Sequence, residues 1–232
     1  MSGQVPWIVF DADNTLWDVE ALYNDARSEM CKFLAGHGLD ATEVEKFQQL
    51  RDKELYSTYG YSACRFARSF EDTALHFLPD AAHEIVRHVR RLASDVFEKP
   101  AAIADGLGVL LDRLIAAKYS IAIITAGERW VQERRLSDFH LRDKFHAVEI
   151  VETKTKSVFD DFAEKRRAQK AASWVVGDSL KSDVLPARAA GLNAVLLQAT
   201  NWSHIEAHGH EIPKGTPTIK RLTDLPKVLG VA

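Results

Sequence analysis

The chain has 232 residues, with 30 Lys and Arg against 33 Asp and Glu, giving a formal net charge of −3. Apolar residues make up 46% and charged residues 27%, the balance of a folded globular chain and not of a disordered one. Near-neutral charge argues against a nucleic-acid binder, no apolar run reaches the roughly 20 residues of a membrane span, and Cys31 and Cys64 form neither a disulfide framework nor a cysteine metal site. Met1–Phe10 carries no basic leader, so the expectation is a cytoplasmic protein with no membrane and no nucleic-acid partner.

In chain order, Val5–Phe10 is a short apolar run that stops at Asp11, as expected of a parallel strand buried on both faces. From about Asp18 to Lys99 the texture is helical, with no convincing strand. Leu22, Ala26, Met30 and Phe33, and later Ile85, Val89, Leu92 and Val96, fall three or four apart, and Gly36, Gly38 and Pro79-Asp80 separate the helices. After Pro100 strands and helices alternate. Helices are predicted over Leu107–Ala117, Trp130–Phe139, Val158–Gln169 and Asp183–Ala190, the last ending at Gly191. Strands are predicted over Ser120–Ile124, Ala147–Val151, Ser173–Val176 and Asn193–Leu197. Such alternation predicts an α/β fold with a doubly wound parallel sheet. The domains expected are a core of residues 1–18 and 100–232 and an inserted all-helical cap of residues 19–99. Ligands of open α/β sheets bind beyond the strands' carboxyl ends, so an insertion leaving there is expected to act as a lid.

Four predicted strand ends carry polar residues: Asp11-Ala12-Asp13-Asn14-Thr15, then Thr125, then Lys154 and Lys156, then Asp178 through Asp183. One Asp in a loop is an ordinary cap or turn residue. Four such ends in one crevice bring together four carboxylates, a hydroxyl and an ammonium. Unpaired carboxylates that close repel one another, and a lysine with a divalent cation removes the conflict. An all-oxygen donor set points to Mg²⁺ rather than zinc.

At this point the chain resembles a known family. Asp11-Ala12-Asp13-Asn14-Thr15-Leu16-Trp17 resembles the first motif of the haloacid dehalogenase superfamily, Thr125 the second, Lys154 the third, and Gly177-Asp178-Ser179-x-x-x-Asp183 the fourth. The resemblance spans essentially the whole chain, cap included. It implies a Rossmann-like fold and aspartyl-phosphate chemistry, with Asp11 as nucleophile and Asp13 as general acid and base. It implies Mg²⁺ held by Asp11, the Asp13 carbonyl and Asp178, with Asp183 on the metal's water or on Lys154. The Thr125 hydroxyl, the amides of Ala126 and Gly127, and Lys154 would meet the phosphoryl oxygens. Asp13 stands where dehalogenase members usually place Tyr and phosphonate hydrolases Ala, which favours a small phosphate monoester. Asn14 replaces the commoner Gly and tolerates φ > 0. No Pro follows the third-motif lysine, and the spacing to Phe159 favours Lys154 over Lys156. A phosphomutase or phosphotransferase, and a non-catalytic phosphate-binding module, are the alternatives.

Four other features stand apart from this constellation. Tyr56, Tyr59, Tyr61, Cys64, Arg65, Phe66 and Arg68 form an aromatic and basic cluster, read either as a substrate-facing surface or as packing between cap helices, with packing the plainer reading. His204, His208 and His210 with Glu211 read as a solvated loop rather than a metal site, and Thr200-Asn201-Trp202 as a stretch at the cleft rim. Arg87–Arg91 reads as the wet face of a helix.

Overall fold

In the computed structural model of the protein, residues 4–198 and 211–231 are described. His204, His208, His210 and Thr200–Trp202 lie outside them. The chain divides into two compact units, Met1–Asp18 with Ala102–Ala232, and Val19–Ala101. No helix among the described residues is long and apolar enough to cross a membrane.

The first unit is built on strands β1 (Trp7–Phe10), β4 (Ser120–Ala126), β5 (Ala147–Val151), β6 (Trp174–Gly177), β7 (Asn193–Leu197) and β8 (Thr218–Ile219), with β2 (Trp17–Asp18) and β3 (Ala102–Ile103) paired separately. The six strands are parallel in the order β5-β4-β1-β6-β7-β8. The chain therefore winds outward from β1 through β4 to β5, then returns to the other side of β1 at β6. The carboxyl ends at this reversal are where such sheets place their ligands. The position explains the composition of β1, whose four residues are all buried. Successive side chains face opposite sides. Trp7 and Val9 join Ala122, Ile124, Phe159 and Phe162 in one cluster, and Phe10, from the opposite side of the strand, meets the Phe145 ring at 6.2 Å. Truncating a fully buried ring such as Phe159 to Ala costs about 3–5 kcal/mol in cores of this kind.

Helices α5 (Leu107–Ala116), α6 (Arg129–Asp138), α7 (Lys156–Lys165), α8 (Leu185–Ala189) and α9 (Leu225–Leu229) belong to this unit. Three departures from expectation have local causes. Helix α7 stops at Lys165, short of Gln169, because the chain turns at Arg167 (φ 51) so that Gln169 N can donate to the Val5 carbonyl at 2.9 Å. The segment after β6 begins earlier than expected, as a π-turn over Leu180–Val184 in which Val184 N reaches back to the Ser179 carbonyl at 3.2 Å. Strand β4 runs on to Ala126 because Thr125 and Ala126 pair with Ile150 and Val151. Gly191 takes φ 81 just after α8, the left-handed ending its position suggested.

The second unit holds α1 (Glu20–Ala35), α2 (Ala41–Tyr59), α3 (Ala63–Phe77) and α4 (His83–Ser94). Phe66 and Phe70 are buried, and Tyr23 meets the Phe66 ring edge-on at 4.8 Å. Polar links stitch α2 to α3: Gln48 Nε2 donates to Ser69 Oγ at 2.8 Å, and Arg65 Nε to Asp52 Oδ1 at 2.9 Å. The aromatic and basic cluster takes part in this packing. Arg65 lies over the Tyr56 ring and donates to the Gly60 carbonyl, while Tyr59 and Tyr61 are exposed.

Candidate active site

Strand β1 ends at Asp11, whose amide donates to the Val176 carbonyl of β6 at 2.9 Å, so the chain is pinned to the sheet where the carboxylate emerges. The next turn places Asn14 at φ 59, the left-handed conformation that Asn accepts more readily than most residues. From the loop after β5, Lys154 brings its buried Nζ against Asp11 Oδ1 and to 2.6 Å from Asp183 Oδ1. Lys156 points elsewhere; its exposed Nζ pairs with Asp160. Asp183 is buried in the π-turn, and its second oxygen accepts from the Ser179 amide at 3.0 Å. Asp11, Asp178 and Asp183 each offer an oxygen within 4.8 Å of the others.

Electrostatics in this cluster are unbalanced by design of the sequence: three carboxylates face one ammonium. Burial pushes the Asp11 carboxyl up to about 7 against the pull of Lys154, with Asp183 adding to the rise. Burial, then Asp11 and Asp183, pushes Asp178 up to about 9. Burial works against the Lys154 charge, but Asp11 and Asp183 outweigh it and raise its pKa. The remaining charge deficit, the oxygen-only donors and the convergence of the three carboxylates suit a divalent cation.

Asp13 faces a different set of partners. Its Oδ1 accepts from Trp17 Nε1 at 2.7 Å, and its Oδ2 accepts from Gln132 Nε2 at 3.0 Å and Arg135 Nη1 at 2.6 Å. Thr125 is buried at the end of β4, and its hydroxyl donates to Gln132 Oε1 at 3.1 Å. Ala126 follows in the strand and offers its carbonyl to Gln132 Nε2 at 3.4 Å. The Gly127 amide, expected to face a phosphoryl oxygen, instead donates to the Val151 carbonyl at 3.1 Å. Gln132 and Arg135 lie outside every motif of the sequence, and Trp17 figures there only as the last residue of the first motif, with no role of its own. The one signal available was that Gln132 and Arg135 stand three apart on a short helix opening directly after Gly127.

The sequence pattern that defines haloacid dehalogenase-like hydrolases matches residues 8–197. A glyceraldehyde 3-phosphate phosphatase from Methanothermobacter thermautotrophicus is 22% identical over 88% of this chain and 92% of its own. The structure of a haloacid dehalogenase-like hydrolase from Xanthomonas campestris superposes with a TM-score of 0.77 at 20% identity, covering 99% of this chain and 93% of the other. That of the hydrolase YfnB from Bacillus subtilis, solved bound to magnesium, gives 0.69 at 18% identity over 98% of this chain and all 100% of its own.

Proposed function

The chain belongs to the haloacid dehalogenase-like hydrolases, and from that premise we propose that it is a Mg²⁺-dependent phosphatase of small phosphate monoesters. The observation that carries this reading is Lys154 bridging Asp11 and Asp183 inside a three-carboxylate cluster that also includes Asp178. Asp11, Asp178 and Asp183 would hold the ion, with the Asp13 carbonyl as a further oxygen. When bound, Mg²⁺ supplies positive charge against the Asp11 carboxylate and the phosphoryl oxygens.

The chain's own groups then divide the work. An Asp11 oxygen bonds to phosphorus as the ester P–O bond breaks, and the departing oxygen takes a proton from Asp13. A water then attacks the phosphorus of the aspartyl-phosphate, passing its proton to Asp13, and Asp11 and inorganic phosphate are released. Lys154 orients Asp11 and offsets charge on the phosphoryl group, while the Thr125 hydroxyl, expected to meet a phosphoryl oxygen, is instead engaged with Gln132 Oε1. Asp13 is what favours phosphate esters over the carbon–halogen substrates of dehalogenases, because an alkoxide leaving group needs a proton. The name of the archaeal relative makes a three-carbon aldehyde phosphate the first substrate to try.

The test is release of inorganic phosphate from a panel of monoesters, with Mg²⁺ and with chelator, for wild type and Asp11→Asn. Release is expected only with Mg²⁺ and to fall by at least about 10³-fold in the variant, since the covalent route is lost. Phosphate release by Asp11→Asn at a tenth or more of the wild-type rate would remove Asp11 as nucleophile.

A further inference from the structure

We propose that Gln132 and Arg135 are positioning residues that act through Asp13, and that Gln132 ties the placement of Asp13 to that of Thr125. The proposal rests on the reading of Asp13 as general acid and base. It adds residues from an element, α6, that holds none of the groups assigned to the chemistry.

Three N–H donors fix the Asp13 carboxyl: Trp17 Nε1 on one oxygen, Gln132 Nε2 and Arg135 Nη1 on the other. They come from two elements, β2 and α6, so neither rotation about the side chain nor a shift of one element frees the group alone. The Arg135 side chain is only 4% exposed. Burying a guanidinium is costly unless a partner compensates it, and here the partner is the Asp13 carboxyl, whose oxygens accept from all three donors and must take up a proton from solvent before the leaving oxygen can receive one.

Gln132 has one workable orientation. Its amide nitrogen faces the Asp13 carboxylate and the Ala126 carbonyl, both acceptors, while its amide oxygen receives the Thr125 hydroxyl. A flipped amide would set oxygen against oxygen at the Ala126 carbonyl, whatever the protonation of Asp13. A single side chain therefore fixes the Asp13 carboxyl relative to the end of β4. Proton transfer depends steeply on such placement.

Leaving-group chemistry separates this role from mere support of the fold. An alkyl ester oxygen must receive a proton as its bond to phosphorus breaks, whereas dinitrophenolate departs without one. The quantity to compare is kcat/KM, which reports steps only through bond cleavage and is blind to later hydrolysis of the aspartyl-phosphate. We would measure it on dinitrophenyl phosphate and on the best alkyl monoester of the panel, for Asp13→Asn, Arg135→Met, Arg135→Lys and Gln132→Met. Arg135→Met and Gln132→Met are expected to lose about 10- to 100-fold on the alkyl ester and less than about threefold on the dinitrophenyl ester, with Arg135→Lys partly restored. Equal losses on both esters, or none on either, would overturn the assignment. If Asp13→Asn itself shows no preference between the esters, the acid–base reading falls, and the inference with it. If Asp13→Asn shows the preference and both Arg135→Met and Gln132→Met do not, only the inference falls. Gln132→Met, uncharged and of similar volume, keeps the test open should Arg135→Met fail to fold.

Discussion

A Cβ on Gly177 would stand 2.2 Å from Asp183 Oδ2 and 2.7 Å from Asp183 Cβ. The Asp183 carboxylate cannot retreat freely, because Lys154 holds one oxygen and the Ser179 amide the other. Gly177→Ala must therefore displace a group that orients Lys154 against Asp11. Misplacement by an ångström costs on the order of 100-fold in rate, and that is the loss in kcat/KM expected of this variant, read beside its melting curve. Activity within about threefold of wild type would mean that the Asp183 contact is dispensable. Asp11 and Asp178 stand out in the sequence because each ends an apolar run abruptly, whereas Lys154 and Asp183 stand out only through the resemblance to the third and fourth motifs. Gln132 and Arg135 do not stand out, for a physical reason. Helix α6 buries Val131, Gln132, Arg135 and Leu136, so half of its inward stripe is polar, and a polar residue on a helix reads as solvated until its partner is known. The role of Gly177 was hidden likewise, since a close approach across a turn has no signature beyond the glycine itself.

Elements became legible in proportion to their length. The four-residue β1 and the seven-residue β4 carry enough apolar pattern to announce themselves, while β2, β3 and β8, two residues each, present no period at all. Those short strands exist because of what they pair with, as when Trp17 meets Ile103 in register. Some helix starts are better marked, by a capping side chain. Asp40 precedes α2, and its carboxylate accepts from the amides of Thr42 at 2.8 Å and Glu43 at 3.0 Å. Those are two of the donors that a helix start leaves unpaired. Replacing Asp40 by Ala is expected to cost about 1 kcal/mol, which in a protein of this size lowers the melting temperature by about 2–4 °C. An unchanged melt would show that water satisfies the two amides equally well. The effect belongs to the helix rather than the chemistry, so hydrolysis under saturating substrate at 25 °C should not change.

At the scale of the whole molecule, the alternation of strand and helix gave away the parallel sheet, and the sheet's reversal at β1 then gathers the carboxylates. Gathering them has a thermodynamic consequence. Asp11 is pushed up to about 7 and Asp178 to about 9, in each case first by burial, from an ordinary value of 3.8. A carboxyl whose pKa is raised by folding holds its proton in the native state over a range where the unfolded chain has lost it. The native state thus binds more protons than the unfolded one between about pH 4 and pH 9, and by linkage its stability falls as pH rises through that window. Mg²⁺ must displace the same protons, so its affinity should climb across the upper part of the window and level off above about pH 9. Other carboxylates titrate too, and the comparison that isolates this site is wild type against Asp178→Asn, both in chelator. The variant removes one of the repelling charges, so it should melt higher than wild type at pH 9 and by a smaller margin, or none, at pH 5. Calorimetric titration of wild type with Mg²⁺ in two buffers of different ionisation enthalpy should in parallel register proton release at pH 7 that fades toward pH 10. A melting difference between the two proteins that does not vary with pH, or Mg²⁺ binding without proton release, would mean that the carboxylates are already ionised, and that the fold bears the charge without the cation.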